Sequence, residues 1–283
     1  MTRRSKRKNL RPQRHCIFCG GARVDREHLW SQWMHDLLAD VKTREKGSAR
    51  EIGSIDENGK HHHSHHLEPV KVGQGSTLTV KIKAQCQRCN SGWMSGLETE
   101  VKPFLGPMIE GRTVTLTKVQ QVSLAAWATL KAMVAEHHHE RSKVALPPEY
   151  EHLMCHRQPP TNWLVWVGSH NSVEWRAQYH HEGLTVPLPG LPFKTVDGAA
   201  IRNLQSTTFG FGPVVFYAVS AVPEFQLNLE THLDRFGLQR IWPVDSETIA
   251  WPVGALTWGH VEGLCRALGD AVRAAGLVPN AGR

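Results

Sequence analysis

The amino-acid sequence predicts an α+β fold, and three features of the chain predict it. Two Cys-x-x-Cys pairs, Cys16 with Cys19 and Cys86 with Cys89, lie far apart in the chain. Apolar residues recur at helical spacing in residues 117–134, and short apolar runs separated by Pro and Gly fill the C-terminal part. A Cys-x-x-Cys turn directs two sulfur atoms at one ion, so the two pairs together predict a tetrahedral structural Zn²⁺ site.

Composition is that of a globular protein, but the positive charge is unevenly placed. The chain has 283 residues, of which 40% are hydrophobic and 21% are charged, and its formal net charge is +7. These values exclude disorder throughout. Residues 1–14 contain no acidic residue, and we interpret them as a solvated basic arm that contacts nucleic-acid phosphates. The predicted phosphate-binding residues of the arm are Arg3, Arg4, Lys6, Arg7, Lys8, Arg11 and Arg14.

No apolar run in the sequence predicts membrane insertion. The basic arm is not followed by the apolar core of a signal peptide. The longest apolar run, Val122 to Ala135, is interrupted by Lys131 and is too short to cross a bilayer. We therefore expect a soluble, cytoplasmic protein with no membrane partner. Cys155 and Cys265 lie outside the metal spacing and are interpreted as small buried residues or inert thiols.

The N-terminal region predicts the order strand, insertion, strand, helix. A short strand through Val24 ends at Glu27 and His28, and a helix follows to Asp40. Alternating residues predict a second strand from Thr77 to Ala84, with Lys81 and Lys83 on its polar face.

A loop and a second helix complete this region. Residues 42–76, which are rich in Lys, Gly, Ser and His, predict a loop insertion, and the histidines within 61–66 are interpreted as part of it. Asn90 has the side chain of a helix N-cap and predicts a helix that Pro103 ends.

The remaining pattern divides the chain into four parts. Thr117 is predicted to begin a long amphipathic helix, and Val261, Leu264, Leu268 and Val272 a closing one. Predicted strands between them are 163–167, 173–179, 214–219 and 241–244. The predicted parts are the arm 1–14, a zinc module 15–105, a helical segment 106–158 and a β-rich mixed region 159–283.

The sequences REHLWSQWM and CQRCNSGWMSGLE resemble the four-cysteine branch of the HNH (ββα-metal) endonucleases, in particular a bacterial and phage group. This resemblance covers residues 14–40 and 84–100 most specifically. It implies a ββα-metal module held together by zinc, with His28 as the general base for DNA hydrolysis. It also implies that Glu27 and Asn90 hold a catalytic Mg²⁺ or Mn²⁺. DNA is the implied partner, and RNA is a possible one.

Two positions depart from the family pattern. Lys81 stands where relatives carry an Asn that fixes the loop between the strands, and Met94 stands where many carry a further His. One alternative is therefore a catalytically inactive zinc module that binds nucleic acid or a protein partner through its basic arm. A third hypothesis, thiol redox chemistry at the Cys-x-x-Cys pairs, is weaker, because two such pairs in one module are better explained by zinc.

The arm generates a prediction that needs no structure. Deleting residues 1–14 should weaken binding to duplex DNA and flatten its dependence on salt. Each lost phosphate contact removes about 0.9 from the slope of log affinity against log salt concentration, so three lost contacts remove about 2.7. Fluorescence anisotropy of a labelled duplex across a salt series measures this slope. An unchanged slope would mean that the arm does not contact DNA.

Overall fold

The structure is a computed structural model that describes most of the chain. It describes residues 15–38, 77–138, 144–184, 203–221, 229 and 233–274, together with the backbone of five short strands at 48–49, 52–55, 61–64, 195–196 and 199–200. The basic arm lies outside the described residues. Helices and sheets are mixed along the chain, which confirms the predicted α+β class.

The elements are numbered in chain order. The strands are β1 Glu27–His28, β2 Ser48–Ala49, β3 Ile52–Ile55, β4 His61–Ser64, β5 Lys81–Ile82, β6 Val114–Thr117, β7 Trp163–Ser169, β8 Ala177–Leu184, β9 Thr195–Val196, β10 Ala199–Ala200, β11 Leu204–Phe211, β12 Val214–Ala221, β13 Gln239–Trp242 and β14 Thr248–Trp251. The helices are α1 Gln32–Leu37, α2 Gln87–Cys89, α3 Ser95–Ile109, α4 Lys118–Ala135, α5 Pro147–His156 and α6 Trp258–Ala274.

A large sheet forms the centre of the described structure. Its strands lie in the order β13-β7-β12-β11-β8-β3-β4, and β2 also pairs with β8. The five strands from β13 to β8 are antiparallel, whereas β2 and β3 run parallel to β8. Three further two-stranded sheets are β1-β5, β6-β14 and β9-β10.

Helices cover the two faces of this sheet. Phe209, Phe211 and Phe216 pack on the side of α4, where the Trp127 ring lies 5.8 Å from that of Phe216. Tyr217 belongs to the second cluster of buried residues, which includes the apolar side of α6. Because side chains alternate across a strand, one set of strands supplies both apolar layers.

The N-terminal region packs on the α4 side through Trp30. This side chain is fully buried, and its ring lies 4.4 Å from the ring of Phe211 and 5.8 Å from that of Tyr179. One continuous cluster of buried residues therefore joins the predicted zinc module, the helical segment and the β-rich region. Packing does not break at the predicted boundary at residue 159.

The predicted loop at 42–76 is partly wrong. Strands β2, β3 and β4 lie within it and extend the edge of the large sheet beyond β8. Pairing to an existing sheet edge satisfies backbone hydrogen bonds whatever the side chains are, which explains why composition did not predict these strands. The side chains of the 61–66 histidine run lie outside the described residues.

The first helix and the second strand differ from their predicted bounds. Helix α1 is short, and Leu29 lies before it rather than within it. A 3₁₀ turn at Thr77–Thr79 replaces the start of the predicted second strand, but Val80 and Ile82 are buried while Lys81 is exposed. Buried and exposed side chains therefore alternate as predicted, although the strand itself has only two residues.

The helix after the second cysteine pair also begins and ends elsewhere than predicted. It begins at Gln87 with Cys86 at its N-cap, so Asn90 lies inside the helical region, in a π-helical turn that is kinked at Gly92. It then continues through Pro103 to Ile109. A proline within a helix costs about 3 kcal/mol, but burial of each large apolar side chain on this helix contributes about 1.5–3 kcal/mol.

The long central helix is confirmed. The side chain of Thr117 accepts a hydrogen bond from the backbone N–H of Gln120, and the backbone N–H of Thr117 donates to the Oε1 of Gln120. This capping box fixes the start of α4. Helix α6 buries Val261, Leu264 and Leu268 as the spacing predicted. Among the described residues, no helix is long and apolar enough to cross a membrane.

Trp30 generates a prediction about stability. Trp30→Ala should lower the free energy of unfolding by about 3–5 kcal/mol, because it opens a cavity between the N-terminal region, α4 and the sheet. Trp258→Ala is the matched control, since that side chain is 54% exposed and its loss should change stability by less than about 0.5 kcal/mol. Denaturant unfolding measures both. Equal effects of the two substitutions would contradict this packing.

Candidate metal centre

The first cysteine pair forms a tight turn stabilised by its own backbone. The N–H of Cys16 donates to the carbonyl of Gly21, and the N–H of Gly20 donates to the carbonyl of Cys16, both at 2.9 Å. Gly20 has φ +67°, a conformation that favours glycine. A Cβ at Gly21 would lie 3.3 Å from the sulfur of Cys19, so glycine there leaves room for the thiolate.

The two cysteine pairs come together. The four sulfur atoms all lie within 4.8 Å of one another, and those of Cys19 and Cys86 are 3.6 Å apart. Four sulfurs at about 2.3 Å from a central zinc ion would lie about 3.8 Å from one another, so the observed spacing fits a tetrahedral site. All four cysteines are free, and 3.6 Å is too long for a disulfide bond. The cluster can therefore hold a metal ion such as zinc.

The electrostatics of the cluster favour a bound cation. Burial raises the pKa of the thiols of Cys16 and Cys89, whereas the backbone N–H of Gly21 lowers the pKa of Cys19 to about 7. Placing several thiolates together without a cation is unfavourable, because burial and mutual repulsion both oppose ionisation. A metal ion would supply the positive charge that lets these sulfurs ionise together.

Residues beside the cysteines hold the two pairs at a fixed separation. The N–H of Ile17 donates to the carbonyl of Ala84 at 3.0 Å, which ties the first turn to the chain just before Cys86. Phe18 is buried, and its ring lies edge-on 5.1 Å from the ring of Trp93 and 5.8 Å from that of Tyr150. The apolar core therefore anchors the cluster from both sides.

Pairing of β1 with β5 extends from the cluster to the predicted general base. Backbone bonds run from Asp25 N–H to the Gln85 carbonyl and from Leu29 N–H to the Val80 carbonyl, and His28 stands opposite Lys81 between them. The predicted catalytic residues Glu27 and His28 constitute β1 and are both partly exposed.

The His28 imidazole is favoured in its neutral form. Burial lowers its pKa, and the positive charges of Lys81 and His35 lower it further, against a smaller opposing effect of the Leu78 backbone. The ring of His35, on α1, lies 5.3 Å from that of His28 in an edge-on arrangement. Sequence reasoning missed His35, although it is one helical turn beyond Ser31 in the same short segment.

The helix that follows Cys89 carries the other predicted ligand. Asn90 is partly exposed, and its backbone N–H donates to the Cys86 carbonyl at 3.0 Å. Met94, one turn later, is buried in the core. Apart from the four cysteines, no group of three or more His, Cys, Asp and Glu side chains within the described parts of the chain is close enough to hold a metal. Glu27 therefore belongs to no such group among the described residues.

The predicted nucleic-acid-binding residues have different outcomes. Lys81 and Lys83 are exposed at β5 and immediately after it, beside the strand that carries His28. The basic residues of the arm lie outside the described residues.

Sequence reasoning also missed an ion pair between Lys131 and Glu98. The one sequence signal for this pair was that Lys131 interrupts an apolar run.

Comparisons of the chain with protein-family models, with curated proteins and with solved structures found no match. A proposal of function therefore rests on the chemistry of the residues and on their arrangement.

The cluster predicts about one tightly bound zinc ion per chain. Cys86→Ser should abolish zinc binding and unfold the region around the cluster, because the binding free energy of a structural zinc ion, about 10–16 kcal/mol, also stabilises the fold. Elemental analysis and circular dichroism of the purified protein measure the two effects.

Cys155→Ser is the matched control for this prediction. Cys155 is exposed and lies outside the cluster, so its substitution should leave both zinc content and stability unchanged. Well-folded wild-type protein without zinc would contradict the assignment of the four cysteines.

Proposed function

We propose that the chain is a metal-dependent endonuclease of the HNH type that hydrolyses phosphodiester bonds in DNA. One observation gives the main support for this proposal. The carboxylate of Glu27 and the imidazole of His28 lie on a strand that pairs with β5. Asn90 lies in the helical turn that directly follows Cys89, a member of the four-cysteine cluster. A purely structural metal module has no need of a carboxylate and an imidazole at this place.

Hydrolysis of a phosphodiester requires a group that takes a proton from the attacking water. A neutral imidazole does this, and the lowered pKa of His28 keeps its ring neutral at neutral pH. As the water oxygen bonds to phosphorus and gives its proton to His28, the bond to the 3′ oxygen breaks and that oxygen takes up a proton from solvent water. His28 therefore acts on the attacking side of the phosphate.

Two kinds of metal suit the two sets of ligands. Glu27 and Asn90 offer oxygen ligands, which suit Mg²⁺ or Mn²⁺, and water and phosphate oxygens would complete the coordination. A divalent ion held by these residues would supply positive charge that stabilises the leaving oxygen. Four cysteine thiolates leave no open position on a tetrahedral zinc ion, so zinc in the cluster would have a structural role only.

Basic residues supply affinity for the phosphate backbone. Lys81 and Lys83 are exposed beside the strand of His28, and the arm leads directly into the first cysteine pair. These charges suit a duplex, and contacts to phosphates carry no sequence preference. DNA is therefore the proposed substrate, and RNA is tested beside it.

A second candidate function is a zinc-stabilised module that binds nucleic acid without cutting it. Burial of Met94 favours it, because the helix turn after Asn90 then offers no further metal ligand. The cation of Lys81, opposite His28, also differs from the neutral amide of the family pattern. Both candidates predict affinity for DNA, and only the first predicts hydrolysis.

The decisive prediction concerns His28. The wild-type protein should nick supercoiled plasmid in the presence of Mg²⁺ or Mn²⁺, and His28→Ala should reduce the nicking rate by roughly 10²–10⁴-fold. Zinc content and DNA affinity should stay nearly unchanged, because other residues provide them. Gel electrophoresis of plasmid forms measures the rate.

Two further variants make this experiment specific. His156→Ala is the matched control, since this exposed histidine lies on α5 and should cut as the wild type does. Glu27→Ala should also lose activity, but raised metal concentration should partly restore it if Glu27 is a ligand. Equal cutting by wild type and His28→Ala would indicate a contaminant, and no cutting of DNA or RNA with any divalent ion would favour the binding module.

A further inference from the structure

Lys131 is a charged residue inside an otherwise apolar part of α4. Every residue of this helix from Ser123 onward is buried, and Lys131 is only 5% exposed. Its neighbours Leu130 and Ala132 are fully buried. An ammonium group is kept at such a position only where specific partners replace its hydration, so the identity of those partners is informative.

The partners of Lys131 come from two other elements. Its Nζ donates to the Oε1 of Glu98, on α3, at 2.8 Å and lies 3.5 Å from the Oγ of Ser31. The ring of Trp127 lies 5.6 Å from the same nitrogen. Burial opposes ionisation of Glu98, but the charge of Lys131 outweighs it with help from Ser31, so the pKa of Glu98 is lowered. The Glu98 carboxyl is therefore favoured in its ionised form.

Ser31 uses its hydroxyl for this ion pair rather than for its own helix. It occupies the N-cap position of α1 with an extended backbone, yet its side chain makes no capping hydrogen bond. Serine at an N-cap ordinarily accepts a hydrogen bond from the first turn. Here the hydroxyl is turned toward Lys131 and Glu98 and is itself buried.

Each partner is continuous with one half of the proposed active site. Ser31 follows His28 by three residues, and Leu29 between them is hydrogen-bonded to Val80. Glu98 lies on α3, which follows the π-helical turn of Asn90 after the kink at Gly92. Lys131, from a third element, thus contacts the segment that follows the strand of His28 and the helix that follows the turn of Asn90.

We propose that Lys131 is a positioning residue, which with Ser31 and Glu98 fixes the strand of His28 relative to the helix of Asn90. This inference rests on the proposed nuclease function for its catalytic consequence. Apolar contacts alone tolerate small displacements, whereas an ion pair with directed hydrogen bonds selects one arrangement. Catalysis is sensitive to displacements of this size, because the base and the metal ligands must face one phosphate.

The test removes both charges together. In Lys131→Met/Glu98→Gln the side chains keep their approximate volumes, and neither charge is left buried without a partner. We expect one zinc per chain and an unchanged or higher melting temperature, because replacing an ion pair by uncharged groups is often neutral or stabilising. We also expect kcat for nicking to fall about tenfold or more with an unchanged KM for DNA. A general loss of structure would not separate kcat from KM in this way.

The matched control is another ion pair of the same helix. Lys118 pairs with Glu247 at the surface, at the beginning of α4. Lys118→Met/Glu247→Gln should leave kcat, KM and zinc content unchanged, since exposed pairs contribute little. Lys131→Arg keeps the charge and should retain more activity than the uncharged double variant.

Hydrogen exchange separates this inference from the proposed function. The Leu29 amide, bonded to Val80 at 2.9 Å, should exchange about tenfold faster in the double variant, while amides of β12 keep their rates. If the wild type does not nick nucleic acid, the proposed function fails and Leu29 exchange alone decides the role of Lys131. Unchanged exchange together with unchanged kcat in a folded double variant overturns the role of Lys131 and leaves the nuclease proposal standing.

A milder variant covers the case in which the double variant does not fold. Ser31→Ala keeps the ion pair but removes its bond to the strand end. We expect faster exchange at Leu29 and a several-fold lower kcat at an unchanged melting temperature. If Ser31→Ala changes neither quantity, the inference is overturned.

Discussion

Every residue of helix α4 from Ser123 onward is buried, so protein covers this part of the helix on every side. The large sheet covers one side through Phe209, Phe211 and Phe216, and α3 and the N-terminal region cover others. Area removed from water stabilises such an arrangement by about 25 cal/mol per Å², without regard to which element supplies the area. The same helix therefore holds together segments that are far apart in sequence, including the chain around the four cysteines.

Metal binding and apolar packing act on the same segment for different reasons. A metal ion in the cysteine cluster would join two turns locally, whereas Phe18 and Trp30 attach that region to the core. Thiolate ligands are selective for their ion but act over a few ångströms, and apolar burial acts over a large area but is not directional. Together they would hold β1 beside β5, with His28 in the pairing. The ion pair of Lys131 adds a directed contact that neither of these supplies.

Patterns with a local physical cause were predicted well. The cysteine spacing predicted the cluster, Thr117 predicted the start of α4, and the spacing of Val261 and Leu264 predicted the buried side of α6. Patterns that depend on contacts with distant parts of the chain were not predicted from the sequence. Strand β11 carries Gln, Ser and Thr at its centre, and these residues are buried only because strands and helices surround them. Helix α3 continues through Pro103 because its apolar side is buried against the core.

The sequence by itself determined which atoms the candidate site contains, because a ligand or a base is a property of the side chain. The four thiols, the Glu27 carboxylate and the His28 imidazole could be named before any fold was known. The tertiary structure alone decided their surroundings. Only folding brings Lys81 and His35 to His28, which lowers its pKa, and only folding buries Lys131 between Ser31 and Glu98. The physical reason is that burial and charge act through space, between residues whose separation along the chain does not predict their distance.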